Sequence, residues 1–435
     1  MQAHSALSAD ALFKLVRETF AKVPEHRPMN VAISLGDALM SGFALFSLKD
    51  PSLLAFDERR AAPENLQRLY HLRRIPSDTQ MRSILDEVAP EHLRPVFKQV
   101  FQTLRQGKAL RRLSFMGHYY LVSLDGTGYF SSKKVHCDQC LERHNSRTGE
   151  ITYAHQLLGG AIVCPGHAEV VPLCPEPIVK QDGSTKNDCE RNAAKRFLNH
   201  LRADYPRVPF IIVEDALSAN APHIQELQRH HLHFILGVKP GDHAYLFDYV
   251  AAAHAQGTTT AFEQTVDGVT QRFCFLNAVP LNAAHPDVRV NFLEYWEIQG
   301  DQVKHFTWIT DFTITPANAP TLMRGGRARW KIENETFNTL KNQGYHFEHN
   351  FGHGHHYLSV ILALLMMLAF AVDQAQQLAC PLFQAAWHKV GSKRRLWERM
   401  RSLFCDLPFP SMTAIWRALA FGFHIQGQVV IHDSS

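Results

Sequence analysis

Three acidic side chains in this 435-residue sequence, Asp125, Asp215 and Glu333, have neighbours that would let them act together. Asp125 ends an apolar, strand-like run at residues 118–124 and precedes Gly126-Thr127-Gly128, which reads as a turn. Asp215 follows a second such run, residues 210–213, and a helix-starting segment comes after it. A carboxylate at the carboxyl end of a strand projects into the crevice where open sheets bind ligands. Two aspartates and a glutamate supply the hard oxygen ligands that hold two magnesium ions about 4 Å apart, manganese being an acceptable substitute. In phosphodiester chemistry one ion activates the nucleophile and the other stabilises the leaving oxygen. Taken singly, each acid also has a plainer reading: Asp125 as a turn residue, Asp215 as a helix cap, and Glu333 as the partner of Arg329 one helical turn earlier.

The third acid belongs to the segment ARWKIENETFNTLK. On a helix advancing about 100° per residue, Trp330, Glu333, Phe337 and Leu340 share one side. Glu335 falls on the other side with Lys331, Asn338, Thr339 and Asn342. An acid on a packing face is costly unless it is paired or metal-bound, which favours Glu333 and leaves Glu335 as the alternative. Lys186, Asp188 and Glu190 read as the opening of a helix, with support of the metals a minor role for them.

Cations cluster beside these acids. Lys133 and Lys134 follow the first, and Arg324, Arg327, Arg329, Lys331 and Lys341 surround the third, a distribution suited to phosphate contacts on double-stranded DNA. A solvated charged helix face is the plainer reading, especially for Lys331. Trp308 and Tyr345 are candidates for stacking on an unpaired base, whereas core packing suits Trp330 better. His136, Cys137, Cys140 and His144 form a Cys-x-x-Cys pair flanked by histidines, a candidate structural zinc set, with reduced thiols as the alternative. His353, His355 and His356 read as surface or DNA-contacting histidines.

The elements needed to position these residues can be traced from hydropathy. Apolar residues recur at helical spacing in 12–20, 35–45 and 93–104. Strand-like runs follow at 157–163, 170–173, 210–213 and 234–238, with a helix over 188–201. Short β-favouring runs fill the stretch up to residue 313, and helix resumes near Pro320. The longest apolar run, residues 357–372, is closely bounded by His355, His356 and Asp373, which predicts a buried core helix rather than a membrane span. Charges interrupt the first twenty residues, so no secretory leader is read there, a cytoplasmic protein is expected, and the eight cysteines are expected to be free thiols. The formal charge of +4 leans basic, which permits a polyanionic partner without demanding one.

Taken together, SLDGTGYF, IIVEDALSANAPHI and RARWKIENETFNTLKNQGYHFEHNFGHG resemble the DDE transposases of bacterial insertion sequences, in the branch with a Tyr-Arg-Glu-Lys type motif. The resemblance covers residues 119–350. Arg329-Trp330 corresponds to the motif's Arg and following Trp and places its Glu at 333; Gly326 stands where the family has Tyr, and Leu340 where it has Lys. The family implies an α/β (α+β mixed) fold: a ribonuclease H-like mixed sheet flanked by helices, with a β-rich insertion and helical N- and C-terminal regions. The chain then divides into a helical, DNA end-binding region at 1–115, the first part of the catalytic domain at 116–238, the insertion at 239–315, the last part carrying the Glu helix at 316–378, and a helical C-terminal region at 379–435. The resemblance further implies cleavage at transposon ends, 3′-hydroxyl strand transfer into target DNA, and a homodimer on DNA. A nuclease of the same fold that does not join strands, and a non-catalytic DNA-binding protein, are the rival readings.

Overall fold

The computed structural model of the chain describes residues 6–28, 30–181 and 186–424. Its centre is an eleven-stranded mixed sheet in the order β10-β11-β12-β13-β9-β8-β1-β3-β2, with β4 and β5 also paired to β3. The strands are β1 (Tyr120–Ser132), β2 (Leu141–His144), β3 (Ile151–Val163), β4 (Val171–Pro172), β5 (Glu176–Ile178), β8 (Phe210–Glu214) and β9 (His233–Gly237). They continue as β10 (Thr260–Val266), β11 (Val269–Asn282), β12 (His285–Gln299) and β13 (Gln302–Thr310); β6 (Lys180–Gln181) and β7 (Lys186–Asn187) form a separate ribbon. β1, β8 and β9 run parallel, and β3 is antiparallel to β1. Phe210–Glu214 is buried throughout, as expected of a parallel strand covered on both faces. This is the mixed sheet flanked by helices that the resemblance implies.

Two details differ from the sequence reading. Gly126-Thr127-Gly128 is not a turn: β1 continues to Ser132, pairing with β3 through a bulge between Gly128 and Phe130. The stretch after residue 239 is not filled by strand alone. β13 pairs with β9, so β10–β13 prolong the same sheet, and a helix, Ala244–Ala255, interrupts the stretch.

Helices supply the rest of the core. Leu358–Ala379 is buried along all its residues, so this helix, long and apolar enough to cross a membrane, is packed inside the protein as its closely bounded apolar run predicts. Leu35–Ser47, also buried along its length, and Arg94–Gln106 pack against it. Serines start several helices: Ser8, Ser34 and Ser52 each accept a backbone N–H of the first turn, and Ser77 forms a capping box with Gln80.

One ion pair ties the N-terminal helices to the C-terminal ones. Lys49, about 1% exposed, pairs with Asp373 of the central helix and donates to the Ser47 carbonyl at 3.0 Å. Its ammonium also lies 4.0 Å from the centre of the Trp397 ring, and the Tyr345 hydroxyl donates to Asp373 at 2.6 Å. Burial pushes the lysine pKa down and the aspartate pKa up, so each charge relies on the other. Removing one partner leaves the other charge buried alone, which typically costs about 3–5 kcal/mol. Lys49→Met is expected to lower stability in denaturant melts by that amount, and Lys49→Met with Asp373→Leu to recover most of it. Equal losses in the single and double variants would show that the pair is not what joins the two helical parts.

Candidate functional site

The parallel pairing of β1 with β8 sets the positions of the first two acids. Its register aligns Ser123 with Val213, and Asp125 and Asp215 stand two residues farther along their respective chains. At the usual strand spacing of about 4.8 Å the two backbones lie side by side at the carboxyl end of the parallel pair. Asp125 Oδ1 accepts the Gly126 N–H at 2.9 Å, and Asp215 Oδ1 accepts the Leu217 N–H at 3.0 Å. Asp215 therefore does cap the short turn Ala216–Ser218, while Asn220 caps the helix that follows. Both aspartates line a cleft of about 830 Å³, together with Gln156, Asp188, Glu190 and Lys195.

The segment carrying the third acid lies over the same strands. After the helix Ala319–Arg327 the backbone tightens into a 3-10 turn, Ala328–Trp330, and then widens into a π-helical turn, Ile332–Phe337. The regular helix expected from the sequence is thus distorted at Glu333, as is common where a side chain must be aimed. Gly159, opposite Asp125 on β3, makes the approach possible: a methyl group there would sit 2.7 Å from the Phe337 ring. Ser123 on β1 donates to the Arg329 carbonyl at 2.9 Å, fixing the start of the segment.

Asp125 and Glu333 meet through Arg329, whose guanidinium lies 2.9 Å from Glu333 Oε1 and 3.7 Å from Asp125 Oδ2. The Asp125 pKa is pushed up to about 7, first by burial and then by its hydrogen bond with Glu333 and that residue's charge, against the opposing pull of Arg329. Glu335 instead interacts with the half-buried Lys393 of the helix Lys393–Asp406. A fourth acid stands closer to the aspartates than its place at a helix start suggests. Glu190 opens the helix Glu190–Asp204, a methyl group on Gly126 would collide with its carboxylate, and its pKa is raised by burial and by Asp215. Asp188 does not compete for this place, being paired with Arg196 at 2.7 Å, and Glu214 is held by His223 at 2.6 Å. Asp125 thus links two acidic pairs, meeting Glu333 at Arg329 and lining the cleft with Glu190 and Asp215, an accumulation of carboxylates that fits divalent cations.

The other expectations divide. Arg324 is exposed and lines a second groove of about 580 Å³ with Arg327 and Lys331. Arg327 pairs with Glu297 and lies over Phe306, and Arg329 is largely enclosed among the acids. Lys341 bridges Glu348 and Lys133 bridges Glu150, both at 2.8 Å, and Lys134 is exposed. Trp308 and Tyr345 are corrections. Both are core residues, about 6% and 3% exposed, Trp308 stacked on Phe306 and Tyr345 bound to Asp373, so neither presents a face to a base. Trp330, expected in the core, is instead about half exposed beneath the Arg329 guanidinium.

The zinc set is also corrected. His136 is exposed and stacks on Tyr153, and His144 lies 3.6 Å from Glu142, both away from the cysteines. Cys137 and Cys140 meet His155 and His353 instead, which moves His353 from the surface into the interior. None of the eight cysteines is in a disulfide.

The raised Asp125 pKa sets a pH dependence with a definite sign. The folded chain keeps a proton on Asp125 at pH values where the unfolded chain has lost it, so stability without metal falls as pH rises from about 4 towards about 7. A cation bound at the acids must displace that proton. Manganese is therefore expected to raise Tm more at about pH 8 than at about pH 5, and Asp125→Asn to remove most of this difference. Equal manganese shifts at both pH values would contradict the assignment.

Comparison with known proteins bears on the same stretch. No curated protein matches the sequence. Among solved structures, the chain is similar to a cryo-EM structure of the piggyBac transposase synaptic complex with hairpin DNA, with a TM-score of 0.41 and 11% identity over 95% of this chain and 82% of that one. A family model, described as "Transposase DDE domain", matches residues 166–370, which include Glu190, Asp215 and Glu333 and begin after Asp125. Over those residues, somewhat under half of the chain, the sequence is similar to that domain.

Proposed function

We propose that the protein is a transposase that cuts DNA at transposon ends and joins the freed 3′ hydroxyl to target DNA, using Asp125, Asp215 and Glu333 to hold two magnesium ions. The observation that carries this reading is that Asp125 meets Glu333 at Arg329 and shares a cleft with Asp215, so that acids from three distant parts of the chain gather within and beside a stretch matched to the transposase DDE domain. When bound, such ions activate the attacking oxygen and stabilise the leaving one at a phosphodiester.

The chain's own groups have distinct tasks in this reading. Asp125 presents its carboxylate from within β1 and Asp215 from just past the end of β8, and Glu333 closes the set from the π-helical turn. Glu190, close to Asp215, serves as a supporting acid. Arg329 neutralises Asp125 and Glu333 while DNA is absent, and its guanidinium is available to a phosphate oxygen once the acids are otherwise neutralised. Arg324, Arg327 and Lys331 along the neighbouring groove, with Lys133, Lys134 and Lys341, supply the sequence-independent attraction for the DNA backbone. The helical region of residues 1–115 is assigned to binding the ends, a homodimer to holding the two ends together, and the cytoplasm to the whole process.

The test uses purified protein, DNA carrying the ends that flank its gene, and magnesium. Asp125→Asn, Asp215→Asn and Glu333→Gln are each expected to reduce cleavage by at least about a hundredfold with DNA binding retained, while Glu335→Gln cleaves normally. Pre-cleaved ends are expected to join to target DNA. Full cleavage by the Asp125 or Asp215 variants would end the transposase reading, and cleavage without joining would reduce it to a nuclease.

A further inference from the structure

Away from the acids, four ligand-type side chains converge from three segments. Cys137 and Cys140 lie on the loop between β1 and β2, His155 on β3 opposite Phe130, and His353 in the segment leading to the helix Leu358–Ala379. All are buried, with His155 and Cys140 at about 1% and 0% exposure. Their ligand atoms lie within 4.8 Å of one another. The sulfurs are 3.9 Å apart, His155 Nε2 is 3.3 Å from Cys137 Sγ and 3.4 Å from Cys140 Sγ, and His353 Nε2 is 3.2 Å from Cys140 Sγ.

We infer that Cys137, Cys140, His155 and His353 form a structural zinc site. Bonds of about 2.3 Å to sulfur and 2.0–2.1 Å to nitrogen, arranged tetrahedrally, put sulfurs about 3.8 Å apart and sulfur about 3.5 Å from nitrogen, close to the spacings of this cluster. Hydrogen bonding does not account for it. Thiols are weak donors and acceptors, and the Nδ1 atoms of both imidazoles are buried without a protein partner. A disulfide requires sulfurs about 2.05 Å apart and would leave both histidines unexplained. Two thiolates and two neutral imidazoles balance a divalent charge, and four protein ligands close the coordination sphere, as in structural rather than catalytic zinc sites. The ring faces of Phe130 and Tyr129 wall the cluster, 4.4 Å from His353 and 5.6 Å from His155 between centroids, which keeps water from the thiolates.

The site has a mechanical role. It fastens the strand that bears Asp125, through its following loop and its β3 partner, to the segment that follows Glu333. The Asp138 N–H to His355 carbonyl bond of 3.0 Å and the three backbone N–H groups that Asp86 accepts from His355, His356 and Leu358 hold the same junction. This inference stands independently of the DNA chemistry proposed above.

The test is elemental analysis of the full chain purified without chelator, with cobalt replacement as the second readout. About one zinc per chain is expected, and cobalt is expected to give thiolate charge-transfer bands and tetrahedral ligand-field bands. His353→Ala and Cys137→Ser with Cys140→Ser should lose the metal, His353→Cys should keep it, and His136→Ala and His144→Ala should not affect it. Should the ligand-deleted variants fail to fold, the wild-type zinc content, the cobalt spectrum and His353→Cys still decide the matter. A folded wild-type protein that holds neither zinc nor cobalt would overturn the inference, as would zinc that survives His353→Ala but is lost with His136→Ala and His144→Ala.

Discussion

Parallel pairing of β1 and β8 sets Asp125 beside the chain that bears Asp215, and the segment lying over β1 brings Glu333 against the partly buried Asp125, where a neighbouring like charge repels. The chain accommodates the repulsion by keeping a proton on Asp125 well above the usual carboxylate range and by enclosing Arg329 between Asp125 and Glu333. Much of the surrounding structure serves to hold this unfavourable arrangement. Gly159 leaves room for Phe337, Ser123 anchors the Arg329 carbonyl, and the π-helical turn aims Glu333 at the strands while Glu335 faces Lys393.

Such crowding needs a stiff support. The wholly buried helix Leu358–Ala379 provides it, packed between the N-terminal helices and the sheet. The Lys49–Asp373 pair joins the two ends of the chain at that helix, and Tyr345, a few residues after the Glu333 segment, is bound into the same pair. The four-residue Cys/His cluster acts at the opposite end of this helix. Between them, these two anchors restrain the segment after Glu333 at both of its ends.

Much of this was legible in the sequence because the signals were local. Strand-like runs ending in Asp125 and Asp215, the long apolar run, and the helical spacing of the flanking regions follow from one- and two-turn periodicities. The preference for Glu333 over Glu335 as the acid nearest Asp125 followed from helix faces, although the helix is not regular there. What escaped was non-local. His155 and His353 are distant in sequence from Cys137 and Cys140, so proximity along the chain selected His136 and His144 instead. Glu190 looked like an ordinary first-turn acid until folding brought it against Gly126. Trp308 and Tyr345 looked available to a base because aromatic character is visible in a sequence and burial against a partner strand or ion pair is not. The glycines after Asp125 suggested a turn, whereas Gly126 makes room for Glu190 within a continuing strand.

The central claim is that these acids gather to bind metal ions. Diffraction from crystals soaked in manganese, recorded at an energy where manganese scatters anomalously, measures this directly. The account predicts anomalous peaks between Asp125, Asp215 and Glu333, with Arg329 displaced from at least one carboxylate. Peaks elsewhere, or none at these acids at saturating manganese above about pH 7, would contradict it.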